Sequence, residues 1–276
     1  IDGGVFVWDT SDGVLTASNV ATAISNAPTK SKFSLVSNPD RHLICFGTET
    51  TIGTTSTQDP MFIRWSDQDD YTSWTATATN TAGSQRITDG SEIVTAVRTR
   101  GQILILTDTS AHGMSFIGAP FTFGFQQLGS NCGAISPNCA VDVGGIVYWM
   151  SSDAFYRFDG TVRKIPCTVE DFVFDNIEPK QYEQVFAGSN SAFGEIWWLY
   201  CTTASNQNDK YVVYNYQEDL WYTGSLSRST WIDSGTYSLP YATKYDGSAN
   251  TTVYVHENGT DDDGSTMTSY IESGDF

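Results

Sequence analysis

The groups on this chain that could act as bases, nucleophiles or ligands are three histidines, five cysteines and several short runs of carboxylates. His42, His112 and His256 stand in no H-E-x-x-H pattern, and no G-x-S-x-G supplies a nucleophile elbow for them to serve. Each therefore reads as a satisfied or solvent-facing strand residue. Cys45, Cys132, Cys139, Cys167 and Cys201 are odd in number, lack Cys-x-x-Cys spacing and have no histidine at metal-ligand distance in sequence. Buried free thiols are expected, as in a chain folded in a reducing cytoplasm. Asp67-Gln68-Asp69-Asp70 and Glu170-Asp171 offer paired carboxylates, and a glycosidase needs two of them across a cleft. In so acidic a chain such neighbours arise by chance, and solvated turn charges are expected instead. Asn258 to Gly264 is similar to a calcium loop but lacks the D-x-D-x-D-G register and the later bidentate Glu, so it too reads as a turn. No catalytic, cofactor-binding or metal-binding residue is assigned, and the chain is expected not to be an enzyme.

Charge narrows the partners. Fourteen Lys and Arg stand against 32 Asp and Glu, a net charge of −18 with a pI near 4.2. A protein that grips nucleic acid neutralises phosphates with clustered cations, and only Arg98 and Arg100 lie close together here. Tight DNA binding is not expected on that ground. An acidic surface still serves solubility, or repels a polyanion that must pass without sticking.

The elements that would position any site are strands. Gly4-Val5-Phe6-Val7-Trp8, Gly101 to Leu106, Gly145 to Met150 and Gly194 to Tyr200 each pair a turn glycine with an apolar run rich in β-branched and aromatic residues. They read as buried strands. The last three recur about 45 residues apart, the period of a four-stranded propeller blade. After Met150 the chain continues through Ala154 to Phe158, a turn at Asp159-Gly160 read as type I′, and Thr161 to Ile165. Tyr211 to Tyr216 followed by Leu220-Trp221-Tyr222 repeats the grammar, and so does Tyr241 to Tyr245 followed by Val253 to His256 across Asp246-Gly247. The prediction is an all-β propeller of five or six blades, mostly of four antiparallel strands, the first incomplete. One short inter-blade helix is expected over Val169 to Asn176, with Thr168 as N-cap, Asp171 completing a capping box and Pro179 as a stop.

At 276 residues, 39% of them hydrophobic and only 17% charged, one large β domain is the expectation. It is placed at 1–265, with 266–276 starting a following strand or platform segment, in a chain expected to be a segment of a longer protein. No apolar stretch reaches the roughly 18 residues that span a bilayer, so membrane insertion by this segment is not expected.

The run Pro60 to Asp67, Thr72-Ser73-Trp74, Ile87 to Val94 and Gly101 to Asp108 resembles the propeller region of phage tail nozzle proteins (tail tubular protein B-like) and packaged-DNA stabilisation proteins. Cys132 to Pro137, Gly144 to Met150, Ala154 to Gly160, Val212 to Tyr216 before Trp221, and Ile271 to Asp275 are similar to the same group. The resemblance covers most of the chain from about Leu43 onward and touches blade architecture alone. It implies a structural protein of the virion tail, synthesised in the host cytoplasm, that assembles as a ring of six copies. It also implies contacts with adaptor and tail-fibre proteins, and a distal DNA channel that retains the packaged genome and permits ejection. Genomic DNA would pass transiently, without tight binding.

The rival expectation is a propeller that binds or hydrolyses glycans. Ser66 to Trp74 resembles the Asp-box turn of sialidases without its glycine, and Trp65, Trp74, Trp197, Trp198, Trp221 and Trp231 are the potential sugar platforms. A sialidase would also need an arginine triad. Arg41, Arg64, Arg86, Arg98, Arg100, Arg157, Arg163 and Arg228 share no frame. Within one strand Trp197 and Trp198 must face opposite sheet surfaces, so packing between blades is the expected role.

Overall fold

The computed structural model describes residues 2–9, 13, 20–38, 40–245, 251–262 and 264–266. Strands make up 46% and helices 6% of it. A narrow antiparallel ribbon, β1 (Phe6–Val7) with β2 (Thr22–Ala23), precedes the main sheets. The first sheet is β3 (Phe33–Val36), β4 (Leu43–Phe46), β5 (Phe62–Trp65) and β6 (Gly83–Arg86). The second is β7 (Ile93–Arg98), β8 (Ile103–Thr107), β9 (Ser110–Gly118) and β10 (Thr122–Ser130). The third is β11 (Ala140–Val143), β12 (Ile146–Met150), β13 (Phe155–Phe158) and β14 (Val162–Ile165). The fourth is β15 (Phe186–Asn190), β16 (Glu195–Tyr200), β17 (Lys210–Asn215) and β18 (Leu220–Ser225). A fifth sheet has three strands, β19 (Thr230–Ile232), β20 (Tyr241–Tyr245) and β21 (Thr251–Val255).

Each sheet is a plain meander in which sequence neighbours pair antiparallel, and the sheets sit as propeller blades. Their first strands stand side by side, β7 against β11, β11 against β15 and β15 against β19. Ala187 donates its amide to the Asn138 carbonyl at 2.7 Å, joining β15 to the segment that enters β11. Arg98 Nη1 reaches the Val36 carbonyl at 3.1 Å and so links the ends of β7 and β3.

The second strand of a blade is covered on both faces by neighbouring sheets, which explains its unbroken apolar runs. All of β8 is buried, and Val147 to Met150 of β12 likewise. One core cluster joins the first and second sheets through Ile44, Phe46, Ile63, Trp65, Ile105 and Phe123. A larger one runs through the second, third and fourth sheets around Leu104, Trp149, Phe155, Trp198 and Val212.

Three local expectations change. Gly4 to Trp8 is no buried blade strand: Phe6 is 60% and Trp8 40% exposed, because the β1–β2 ribbon only leans on the first sheet through Val5, Ile24 and Ala27. The equivalent strand of the first blade is β4, which the chain enters through Arg41 at φ 49° instead of a glycine. The 159–161 turn is not type I′. Gly160 takes φ 111° while Asp159 stays negative, and Phe158 pairs with Val162 around a three-residue loop. The inter-blade helix α1 is Glu170–Phe174, capped by Val169 with no side-chain hydrogen bond, so Thr168 is not its N-cap. Pro179 opens a 3-10 segment, Pro179–Gln184, where its fixed φ suits the first position. The expected segment 266–276 lies, beyond Thr266, outside the described residues, as does the Asp246-Gly247 turn.

Candidate functional site

The entering ends of the inner strands enclose a cavity of about 550 Å³ near the axis, lined by Asp2, Lys32, Glu92, Asp108, Tyr182 and Glu183 among others. Several of its polar groups are engaged with one another or with the main chain. Lys32 donates to Glu92 across the first two blades. Asp108 accepts from the Ser91 amide at 2.8 Å and the Ser91 hydroxyl at 2.6 Å. Burial pushes the Asp108 carboxyl up, but those donors outweigh it and hold its pKa below the usual range. The mouth is an anionic surface built from structural hydrogen bonds, with one cation against four carboxylates.

The tryptophans are seam residues. Trp198 Nε1 donates to the Cys139 carbonyl at 2.9 Å, Trp221 Nε1 to Pro166 at 2.8 Å and Trp231 Nε1 to Ser189 at 2.8 Å, each time from one blade to the blade before it. Trp65 donates to the Thr81 carbonyl within its own blade. Trp197 stacks on Trp231 with centroids 5.1 Å apart and planes 8° from parallel. Trp65, Trp74, Trp198 and Trp231 are buried, so these rings are packed between sheets and do not form an open sugar platform.

The Ser66–Trp74 segment lies between the third and fourth strands of the first blade, where it acts as a structural turn. Asp67 Oδ1 accepts from the Gln68 amide, the Thr81 amide and the Thr81 hydroxyl at 2.9, 2.8 and 2.6 Å. Asp70 accepts from Thr72, Asp69 holds Arg41, and buried Trp74 donates to the Tyr71 carbonyl. These carboxylates are hydrogen-bonded within the loop, and Asp69 and Asp70 remain exposed turn charges. Glu170 pairs with Lys164.

His42 is fully buried immediately before β4, its Nδ1 3.3 Å from Asp40 Oδ2 and its Nε2 3.0 Å from Thr81 Oγ1. Burial lowers its pKa despite the opposing pull of Asp40. His112 lies within β9 on the Ser110 hydroxyl at 2.8 Å, again lowered by burial. His256 accepts from Arg228 Nε. Cys45, Cys132, Cys139 and Cys201 are buried and Cys167 half-buried, all free. Burial pushes the Cys45 thiol up to about 12 and Cys132 and Cys167 up to about 11, which leaves little thiolate for nucleophilic attack.

The arginines are dispersed over separate partners: Arg86 on Asp59, Arg100 on the Gly144 carbonyl, Arg157 on Asp159, Arg163 on Thr161 and Arg64 on the Thr50 carbonyl. Among the described residues no three His, Cys, Asp or Glu side chains gather as a metal cage. Of the 258–264 loop, Asp261 Oδ1 accepts from the Gly264 amide at 3.0 Å, a turn contact. Sequence reading missed one polar cluster: Asn190 Nδ2 bridges Glu195 and Glu257, and Glu195 also holds Trp197 Nε1 and the Tyr222 hydroxyl. Its members come from four strands or their ends, so no spacing in the chain signals it.

No family model and no curated protein matches the chain. Among solved structures it is similar to the AfRom2 CNH domain, at 10% identity over 93% of this chain and 89% of that one, with a TM-score of 0.45. It is also similar to a Saccharomyces cerevisiae assembly of Dbp5 with Nup159, Gle1, IP6 and ADP, at 9% identity over 93% and 80%, with a TM-score of 0.34. Likenesses this distant carry no functional weight.

Proposed function

We propose that the chain is the propeller region of a phage tail nozzle or hub, a structural virion protein. It works as one of six copies around the distal DNA channel, retaining the packaged genome and permitting ejection, and contacts the adaptor and tail fibres. One observation carries this reading: the segments that resemble nozzle propellers coincide with blade elements. Pro60–Asp67 spans β5, Gly101–Asp108 spans β8, Gly144–Met150 spans β12, Ala154–Gly160 spans β13, and Val212–Tyr216 covers most of β17. Its role is mechanical and electrostatic. Near the axis Lys32 and Glu92 link the first two blades, and −18 per copy repels a passing duplex.

Electron microscopy of intact particles, with an antibody fragment raised against this chain, tests the reading. Label at the tail tip in sixfold arrangement is expected, and label on the capsid or on no particle would overturn it. Incubation with sialylated and capsular glycans is expected to release no sugar. Turnover abolished by a single carboxylate substitution would replace the structural role with an enzymatic one.

A further inference from the structure

The second blade carries a hairpin that extends past its own sheet. β9 and β10 are nine residues each, yet β8 pairs with β9 only as far as Ile103 opposite Met114. From Ser115 to Gly124 the hairpin therefore overhangs its own sheet. The overhang is apolar at its tip, with Phe116, Ile117 and Phe121 44%, 57% and 74% exposed. One face of it is clamped to the first blade: Phe123 meets Trp65 edge-on at 5.2 Å and His42 at 5.1 Å, and Thr122 Oγ1 donates to the Thr81 carbonyl at 3.0 Å. A pinned projection loses little conformational freedom when it docks.

Between Asp108 and Asp142 the chain has no Asp, Glu, Lys or Arg, the longest such interval in a sequence of net charge −18. A second uncharged surface lies on the outward face of the fifth sheet. Thr230, Thr243 and Val253 stand in one cross-strand row and Ile232, Tyr241 and Val255 in another on that face. Ile232, Val253 and Val255 are 52%, 61% and 41% exposed.

We infer that the overhanging hairpin of one copy docks on the outward face of the fifth sheet of the next copy. This deepens the ring reading above and rests on it. Two copies at −18 repel wherever charged surfaces meet, so contact falls where no carboxylate must be desolvated. The two surfaces are on different blades, which makes the contact head-to-tail, the type that generates rings. A lipid surface is the poorer occupant. The hairpin itself carries no Lys or Arg, the two arginines beside it, Arg98 and Arg100, are held by the Val36 and Gly144 carbonyls, and the net charge opposes an anionic leaflet.

Sedimentation velocity across a concentration series, on the chain and on Phe121→Glu, Val253→Glu and the control Phe172→Glu, tests the contact, with folding checked by circular dichroism. The unmodified chain and the control should self-associate. Each interface variant should associate at least about tenfold more weakly. Mixing the two interface variants should restore one intact contact and stop at dimers. Unmodified protein that stays monomeric throughout, or variants that associate like the control, would overturn the inference. So would flotation with phosphatidylcholine vesicles that depends on Phe121. Sixfold tail-tip label on particles carrying Phe121→Glu would sink this contact while leaving the nozzle reading intact.

Discussion

The indole of Trp198 donates to the carbonyl of Cys139 at 2.9 Å, tying the second strand of the fourth blade to the segment that opens the third. Trp221 and Trp231 repeat the gesture toward Pro166 and Ser189. Each of these rings thus holds its seam by burial together with one directional bond.

Replacing Trp198 by Phe keeps most of the apolar contact but removes the shorter of two hydrogen bonds to the Cys139 carbonyl, which retains the Met150 amide at 3.3 Å, a loss of about 0.5–1.5 kcal/mol. Trp198→Ala should cost about 3–5 kcal/mol. Thermal unfolding should place Phe between the parent and Ala. Equal midpoints for Phe and the parent would mean that the bond contributes nothing.

Gly133 tests packing against main chain. A Cβ there would lie 2.2 Å from both the carbon and the oxygen of the Asp108 carbonyl, which cannot swing aside as a side chain would. Gly133→Ala should destabilise by about 1–3 kcal/mol or more. Gly101→Ala, where nothing lies within 4 Å, should be close to neutral. Urea midpoints for the two variants should differ in that order, and identical midpoints would reject the close approach.

Acid should weaken the fold from about pH 6.5 downward. His42 and His112 have pKa values lowered by burial, so below about 6.5 these imidazoles take up protons more readily in the unfolded chain than in the folded one. The unfolded state then binds more protons, and stability falls as pH falls through that value. Asp67 and Asp108 are lowered too, their burial outweighed by hydrogen bonds, and their contribution is lost only below about 3.9. The urea midpoint should drop between about pH 7.5 and 5.5, and less so in His42→Gln. A flat profile would contradict the burial of these imidazoles.

Duplex DNA should bind weakly or not at all. At −18 per copy the repulsion reaches only about 8 Å at physiological salt, enough to prevent adhesion without blocking passage. An equilibrium titration across salt concentrations checks this. Micromolar affinity that falls steeply with salt would mean that the chain grips DNA.

The blades were legible because their second strands are covered on both faces, which forces continuous apolar runs such as Ile103 to Leu106 behind a turn glycine. The first blade escaped that signature. Arg41 takes a left-handed conformation in place of the glycine at the entry to β4, so Gly4 to Trp8, exposed in the structure, looked the better match. The seam bonds were invisible in the chain itself: Trp198 and Cys139 lie 59 positions apart. The same holds for the Asn190, Glu195 and Glu257 cluster, whose members meet only when the end of β21 returns to the fourth blade.

The near-parallel stack of Trp197 on Trp231 has an optical consequence. Two indole chromophores this close share their excited state, so the pair absorbs and rotates polarised light as a coupled unit and not as two separate rings. The boundary between the last two blades carries its own spectroscopic marker, one that fades when those blades part even while every strand stays paired.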